Sequence, residues 1–311
     1  MAVTPSKPRH EVVTCKTIDG ITLEGWFYPV EGPAPAIVMT HGFNCVKEMS
    51  LSDTAEGFQR RGYNVYLYDS RSVGASGGHP RNQIDPLQMA EDVSDVVSHV
   101  MSLPSVDPAK VFLWGMSLGG TVSAVAAIVD RRVAGVLMVC PIFHFVRPDR
   151  RTRAFAQLMR DRVSQLRGNE PYTLQPFNSK GENPIGMAGA GGPGGREAYV
   201  LMRTAVERGH PSFRDRITLQ TYHKLALFQP LPLMDLLEEV PVMMMVPELD
   251  DMSPAADQRT AFERLRVPKK MYFAEGRGHM TILTGEGTED IFEAMVGFFD
   301  DVSSSRFVSD S

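Results

Sequence analysis

Cysteine is scarce in this chain: Cys15, Cys45 and Cys140 are three residues in 311, far apart and odd in number. No C-x-x-C pair occurs, so neither a zinc site nor a disulfide framework is indicated, and free thiols fit a reducing compartment. No apolar run approaches the roughly 20 residues needed to cross a bilayer. Residues 1–11 are polar, carry prolines and lack the apolar core of a secretory signal. The serine-rich end, residues 303–311, shows no targeting motif and is expected to fray. Charge of neither sign dominates: 32 Lys and Arg against 37 Asp and Glu give a formal net charge of −5, which argues against a nucleic-acid partner. The glycine-bearing segment 69–78 lacks the G-x-x-x-x-G-K-[ST] pattern of a phosphate-binding loop. These absences predict a cytoplasmic protein with no membrane, nucleic-acid or metal partner.

What is present is a hydrophobic fraction of 43%, enough for a sizeable core, in a chain long enough for one large α/β domain or two small ones. Strand-like runs at 11–17 and 21–28 flank Asp19-Gly20, a strong hairpin signal. Short apolar strands are expected at 36–40, 65–68, 111–114, 133–140, 240–246 and 270–274. Between them, helical patterns occupy 51–61, 86–103, 121–129, 255–265 and 290–299. This alternation predicts an α/β fold, a mostly parallel sheet covered on both faces, with the opening hairpin as an antiparallel edge. Residues 142–238 break the rhythm and are too long for a simple connection. They are expected to form a cap inserted over the strand ends, leaving 1–141 and 239–311 as the core. The glycine tract 181–195 within the cap is expected to be mobile.

The densest chemical signal is Gly115-Met116-Ser117-Leu118-Gly119, between the apolar run 111–114 and a helical run. Strand, sharp turn and helix are the setting of a nucleophile elbow, in which flanking glycines make room for a strained serine whose hydroxyl projects above the sheet. Downstream, His279 stands in a glycine-rich loop after the last expected strand, where a general base is required by the order serine, acid, histidine. The acid is sought in Glu248-Leu249-Asp250-Asp251. Asp250 is preferred for its spacing to Ser253-Pro254, with Asp251 and then Glu248 as alternatives. Asp251 is also suited to the N-terminus of the helix that follows. The oxyanion hole needs two backbone N–H groups, and Leu118 and Phe43 are the candidates, with Gly42 permitting close approach. His41 reads as a brace of that loop, and Asp69 and Arg71 as ties within theirs.

With these residues in place the chain resembles the α/β-hydrolase superfamily, over roughly 11–141 and 240–300. The segments His41-Gly42-Phe43-Asn44-Cys45-Val46-Lys47-Glu48-Met49, Tyr68-Asp69-Ser70-Arg71-Ser72-Val73-Gly74 and Leu113-Trp114-Gly115-Met116-Ser117 are similar to the fungal polyketide transferase and hydrolase group, which is related to dienelactone-hydrolase-like enzymes. The resemblance implies a serine enzyme of secondary-metabolite biosynthesis acting on a polyketide-type acyl chain. It would use Ser117, Asp250 and His279, with no cofactor. Three readings follow. The acyl-enzyme is hydrolysed, as in an esterase or thioesterase. Alternatively, the acyl group passes from a carrier protein to an alcohol. In the third reading, the fold is catalytically silent and binds a ligand without covalent chemistry. An acyl-carrier domain of a polyketide synthase is the implied partner. The arginines at 147, 150, 151, 153, 160, 162 and 167 could steer it, although a solvated helix face explains them more simply. His144 and Phe145 are the candidate substrate-binding residues, with His210, His223, Phe155, Phe228 and Met234 as further candidates for the pocket.

Overall fold

The computed structural model describes residues 10–183 and 191–310. The chain opens on a hairpin of β1 (Glu11–Lys16) and β2 (Thr22–Tyr28), whose turn places Gly20 at φ +86°, where a side chain would be strained. Next come β3 (Ala34–Thr40), α1 (Ser52–Arg60), β4 (Asn64–Tyr68), α2 (Pro86–Met101), β5 (Val106–Met116), α3 (Leu118–Val129) and β6 (Gly135–Val139). Between β6 and the next strand of the main sheet come α4 (Arg151–Leu166), β7 (Thr173–Leu174), α5 (Pro193–Glu207), β8 (Ile217–Thr218), α6 (Thr221–Leu227) and α7 (Pro230–Leu233). Then β9 (Val242–Pro247), α8 (Ala255–Arg264), β10 (Lys269–Ala274) and α9 (Thr288–Ser303) restore the alternation.

The main sheet has eight strands in the order β1-β2-β4-β3-β5-β6-β9-β10. The hairpin joins it as an antiparallel edge, β2 pairing with β4, and every pairing from β4 to β10 is parallel. Alternation of side chains along each strand divides the core in two. One face (Val38, Leu113, Val136, Met138, Met244) packs under α2 and α3. The other (Ile37, Met39, Phe112, Trp114, Leu137, Val139, Met245) packs under α1 and α9. Phe58, Phe112, Phe298 and Phe299 interlock on that second face, each contributing on the order of 1.5–3 kcal/mol by leaving water.

Two sequence expectations needed correction. β5 starts five residues early, at Val106 rather than 111, because the register with β3 shifts between Ala34 and Ala36. That irregularity accommodates Pro108, which a regular central strand would reject. The end of the chain is not frayed over residues 303–310. Ser309 Oγ accepts the Lys269 N–H at 2.9 Å, Asp310 donates its N–H to Lys269 O at 2.8 Å, and Phe307 packs edge-on against Phe298. This tail covers the open edge of β10, which would otherwise present unpaired backbone groups. Of the glycine tract expected to be mobile, residues 184–190 lie outside the described residues. Its last glycines, Gly194 and Gly195, are helical and buried in the first turn of α5.

Candidate active site

All the parallel strands release their loops at one end of the sheet, and the chemistry-bearing residues gather there, as in open α/β sheets generally. β5 ends at Met116, and Ser117 adopts φ +58°, ψ −121° before α3 begins. That is a costly conformation for a serine and persists only because its surroundings fix it. Ser117 N–H donates to Val139 O at 2.8 Å. Gly115 and Gly119 are required by contact. A Cβ on Gly115 would lie 2.2 Å from Gly119 O, and one on Gly119 would lie 2.2 Å from Thr40 O and 2.4 Å from His41 O. The elbow can therefore turn only where strand and helix backbones touch.

His279 is carried by the loop after β10. Arg277 stiffens that loop through Thr284 O at 2.6 Å and through Glu286 O, and Leu249 N–H donates to Arg277 O at 2.7 Å, joining it to the loop after β9. The imidazole is buried, with Nε2 2.9 Å from Ser117 Oγ and Nδ1 2.8 Å from Asp250 Oδ2. Asp250 is held on both oxygens. Oδ1 accepts the N–H groups of Met252 at 2.9 Å and Ser253 at 2.8 Å, and Oδ2 also accepts Gln258 Nε2 at 3.1 Å. Burial alone would lower the His279 pKa, but the adjoining Cys140 sulfur and the Asp250 carboxylate outweigh it and hold the imidazole well above its ordinary value. Burial also raises the Cys140 thiol, which keeps that sulfur uncharged at neutral pH. Asp250 is therefore the charge to which we assign the effect.

The neighbouring acids do other work. Asp251 does not serve the N-terminus of α8. Its carboxylate accepts the Gly194 N–H at 3.0 Å and so caps α5. Glu248 accepts the Gly276 N–H at 2.7 Å and ties the two loops together. Gly42 sits against the elbow, its would-be Cβ 3.4 Å from Ser117 Cβ. Phe43, the next residue, lines the same cavity as Ser117, and neither its N–H nor the Leu118 N–H donates to a backbone acceptor among the described residues. His41 is buried and held neutral, its pKa lowered to about 3 by burial, and its Nε2 has no partner among the described residues, so it does not brace the loop by that atom. Asp69 and Arg71 do tie down their segment. Asp69 takes Lys47 Nζ at 2.8 Å and Ala75 N–H at 2.9 Å, while Arg71 forks between Asp92 and Asp19. Cys140 Sγ, Asp250 and His279 are also the one group among the described residues spaced to hold a metal ion, within 4.8 Å. Both ring nitrogens already have partners, so an ion bound to the ring there would have to displace Asp250 or Ser117.

A cavity of about 640 Å³ opens over Ser117 and His279, within the range of small-molecule sites. Phe43, Phe177, Val200, Leu201, Met252, Met280 and Leu283 make it largely apolar. The pocket residues expected from the sequence do not line it. His144 is exposed, and Phe145 is buried against Phe228, at 5.5 Å between ring centroids. The segment after β6 runs down into the core, where Ile142 O accepts Thr121 Oγ1 at 2.7 Å, instead of up into the cavity. Phe228 and Met234 are core residues, Phe155 is exposed on α4, and His210 and His223 stand outside the lining. The wall comes instead from α5. Its apolar positions follow a proline and two glycines, which disguise the start of a helix.

The chain matches the family model described as serine aminopeptidase, S33, over residues 31–286. It is 40% identical to a thiohydrolase of Eupenicillium brefeldianum, covering 94% of both chains. It is 38% identical to the polyketide transferase ATR5 of Stachybotrys chlorohalonatus, over 93% of this chain and 96% of that one. Among solved structures, DcsB in complex with its substrate analogue superposes with a TM-score of 0.92 at 58% identity, covering 94% of this chain and 99% of that one.

Proposed function

The chain belongs to the serine aminopeptidase S33 family of α/β-hydrolases, in the group that holds the fungal thiohydrolases and polyketide transferases, and from that premise we propose that it is a serine-dependent acyl hydrolase or transferase for a polyketide-type ester or thioester. The observation that carries this reading is the unbroken chain of contacts from Asp250 through His279 to Ser117, opening into an apolar cavity. In the proposed cycle His279 takes the Ser117 proton, the serine attacks the acyl carbonyl, and the Phe43 and Leu118 N–H groups receive the oxyanion. His279 then protonates the leaving thiol or alcohol. Water or an acceptor alcohol attacks the acyl-serine with its proton passing back through His279. The 142–238 insertion acts as a cap in this scheme, its α5 closing one side of the cavity and limiting the access of water.

The acyl group would arrive on an acyl-carrier domain. The support lies on α4, where Phe155, Met159, Val163 and Leu166 form an exposed apolar stripe at spacings that share one helix face. Arg151, Arg153, Arg160, Arg162 and Arg167 surround it, none in an ion pair among the described residues. Two copies of so basic a face repel each other, whereas an acidic amphipathic helix of a carrier complements it. One experiment tests both levels. The octanoyl thioester of N-acetylcysteamine should be consumed in a Ser117-dependent way by wild type and by the Arg160→Glu/Arg167→Glu double variant alike. The variant should raise KM about tenfold only for the octanoyl thioester of an excised fungal polyketide-synthase carrier domain. Failure to consume the small thioester would count against the activity, and equal carrier kinetics against docking on α4.

A further inference from the structure

Glu197 is the one carboxylate among the residues that line the cavity. It stands on α5, one turn beyond Gly194, whose N–H is capped by Asp251. A Cβ on Gly194 would lie 2.4 Å from Asp251 Oδ1 and 2.7 Å from Met252 Cγ. The start of α5 is thus seated directly on the loop that carries Asp250, and Glu197 is fixed relative to the candidate triad rather than left on a loose cover. Its carboxylate makes no hydrogen bond or ion pair among the described residues. The lining around the cavity is largely apolar, with Phe43, Val200, Leu201 and Met280 among its members. A half-buried carboxylate facing an apolar cavity without a partner is unfavourable, and an arriving ligand with a donor relieves that cost.

The environment narrows which donor. Burial and the nearby Asp251 raise the Glu197 pKa, while His279 and Arg196 pull it down. The net effect leaves the carboxylate short of a donor, and in the proposed cycle the group that reaches this cavity with a donor to offer is the acceptor alcohol. Glu197 lines the same cavity as Ser117 and His279, so a group bonded to Glu197 shares that cavity with the nucleophile and the base. We propose that Glu197 is a hydroxyl-binding subsite, which accepts a hydrogen bond from an acceptor alcohol and turns its oxygen toward the acyl carbon held on Ser117. This inference rests on the acyl-enzyme reading and deepens it by assigning the second substrate. In the step it assists, the alcohol oxygen bonds to the acyl carbon and the bond from that carbon to Ser117 Oγ breaks. His279 takes the alcohol proton and returns it to Ser117. Glu197 orients the alcohol without taking its proton.

The test follows p-nitrophenyl octanoate in the presence of 1-hexanol, with p-nitrophenol release reporting acylation and the ratio of hexyl octanoate to octanoic acid reporting the fate of the acyl-enzyme. Wild type should form the ester. Glu197→Leu should lower the ester-to-acid ratio about tenfold, the effect of losing one hydrogen bond to a charged group, with its p-nitrophenol burst within about twofold of wild type on the same scale. Glu197→Gln keeps an acceptor oxygen and should retain most of the ratio. An unchanged ratio in Glu197→Leu, or octanoic acid as the sole product of wild type, overturns the subsite while leaving the acyl-enzyme reading intact. Absence of p-nitrophenol release by wild type overturns both.

Discussion

Ser117→Ala is expected to cut turnover of an octanoyl thioester by about 10⁶-fold, the loss seen when the nucleophile of a comparable triad is removed. Its melting temperature should move by less than about 4 °C. The two effects separate because of where Ser117 sits. Its backbone bond to Val139 O and the glycine contacts around it do not involve the hydroxyl, so alanine occupies the same turn. The hydroxyl's partner is His279 Nε2 at 2.9 Å, and that bond is the one the chemistry needs. Steady-state kinetics beside a thermal melt checks both. A folded variant that keeps more than about a thousandth of the activity, far above what a loss of about 10⁶-fold leaves, would place the nucleophile elsewhere.

Asp250→Asn has the second largest expected effect, about a 10⁴-fold fall in kcat through loss of the tautomer the base requires. Its pH profile carries a second signature. The neutral imidazole is the base, so a His279 pKa held above its ordinary value puts the acid limb of kcat/KM on the alkaline side of 6.5, with activity lost as pH falls through that limb. Asparagine removes the carboxylate that pulls upward and leaves burial, which pulls downward. The limb should move toward acid in the variant. A limb that stays in place would assign the shift to something other than Asp250. Asp251→Asn, which touches the cap of α5 and not the imidazole, should leave the limb where it is.

The elbow was legible in the sequence because its constraints are local. Gly115, Ser117 and Gly119 serve one turn, and the strand and helix on either side announce themselves by their apolar patterns. Strand order could be anticipated only in outline, since β3 crossing to the far side of β4 is decided by packing between segments far apart in the chain. Asp250 and Asp251 are adjacent and identical in type, and what separates their surroundings is tertiary. One faces His279 and Gln258, the other the backbone of Gly194. Gln258 gave no signal as an interior position of α8, yet it is buried and bonds Asp250 Oδ2.

The pocket was the least legible part. Apolar residues that follow a strand end, such as Phe145, look the same whether they face a cavity or the core, because composition does not record which way a loop turns. The real wall, α5, begins with Pro193-Gly194-Gly195, residues that a reading by propensity assigns to a linker. Its glycines are small because Asp251 and Met252 press against them, a reason invisible without the fold. Glu197 was likewise hidden: one acid on a helix face is unremarkable until that face closes over a serine.

The most direct test of the acyl-enzyme account is mass spectrometry of the intact protein and its peptides after treatment with a fluorophosphonate, which needs no knowledge of the natural substrate. The account predicts one adduct, on Ser117, lost in His279→Ala. No adduct on the folded protein, or an adduct on another serine, would contradict it.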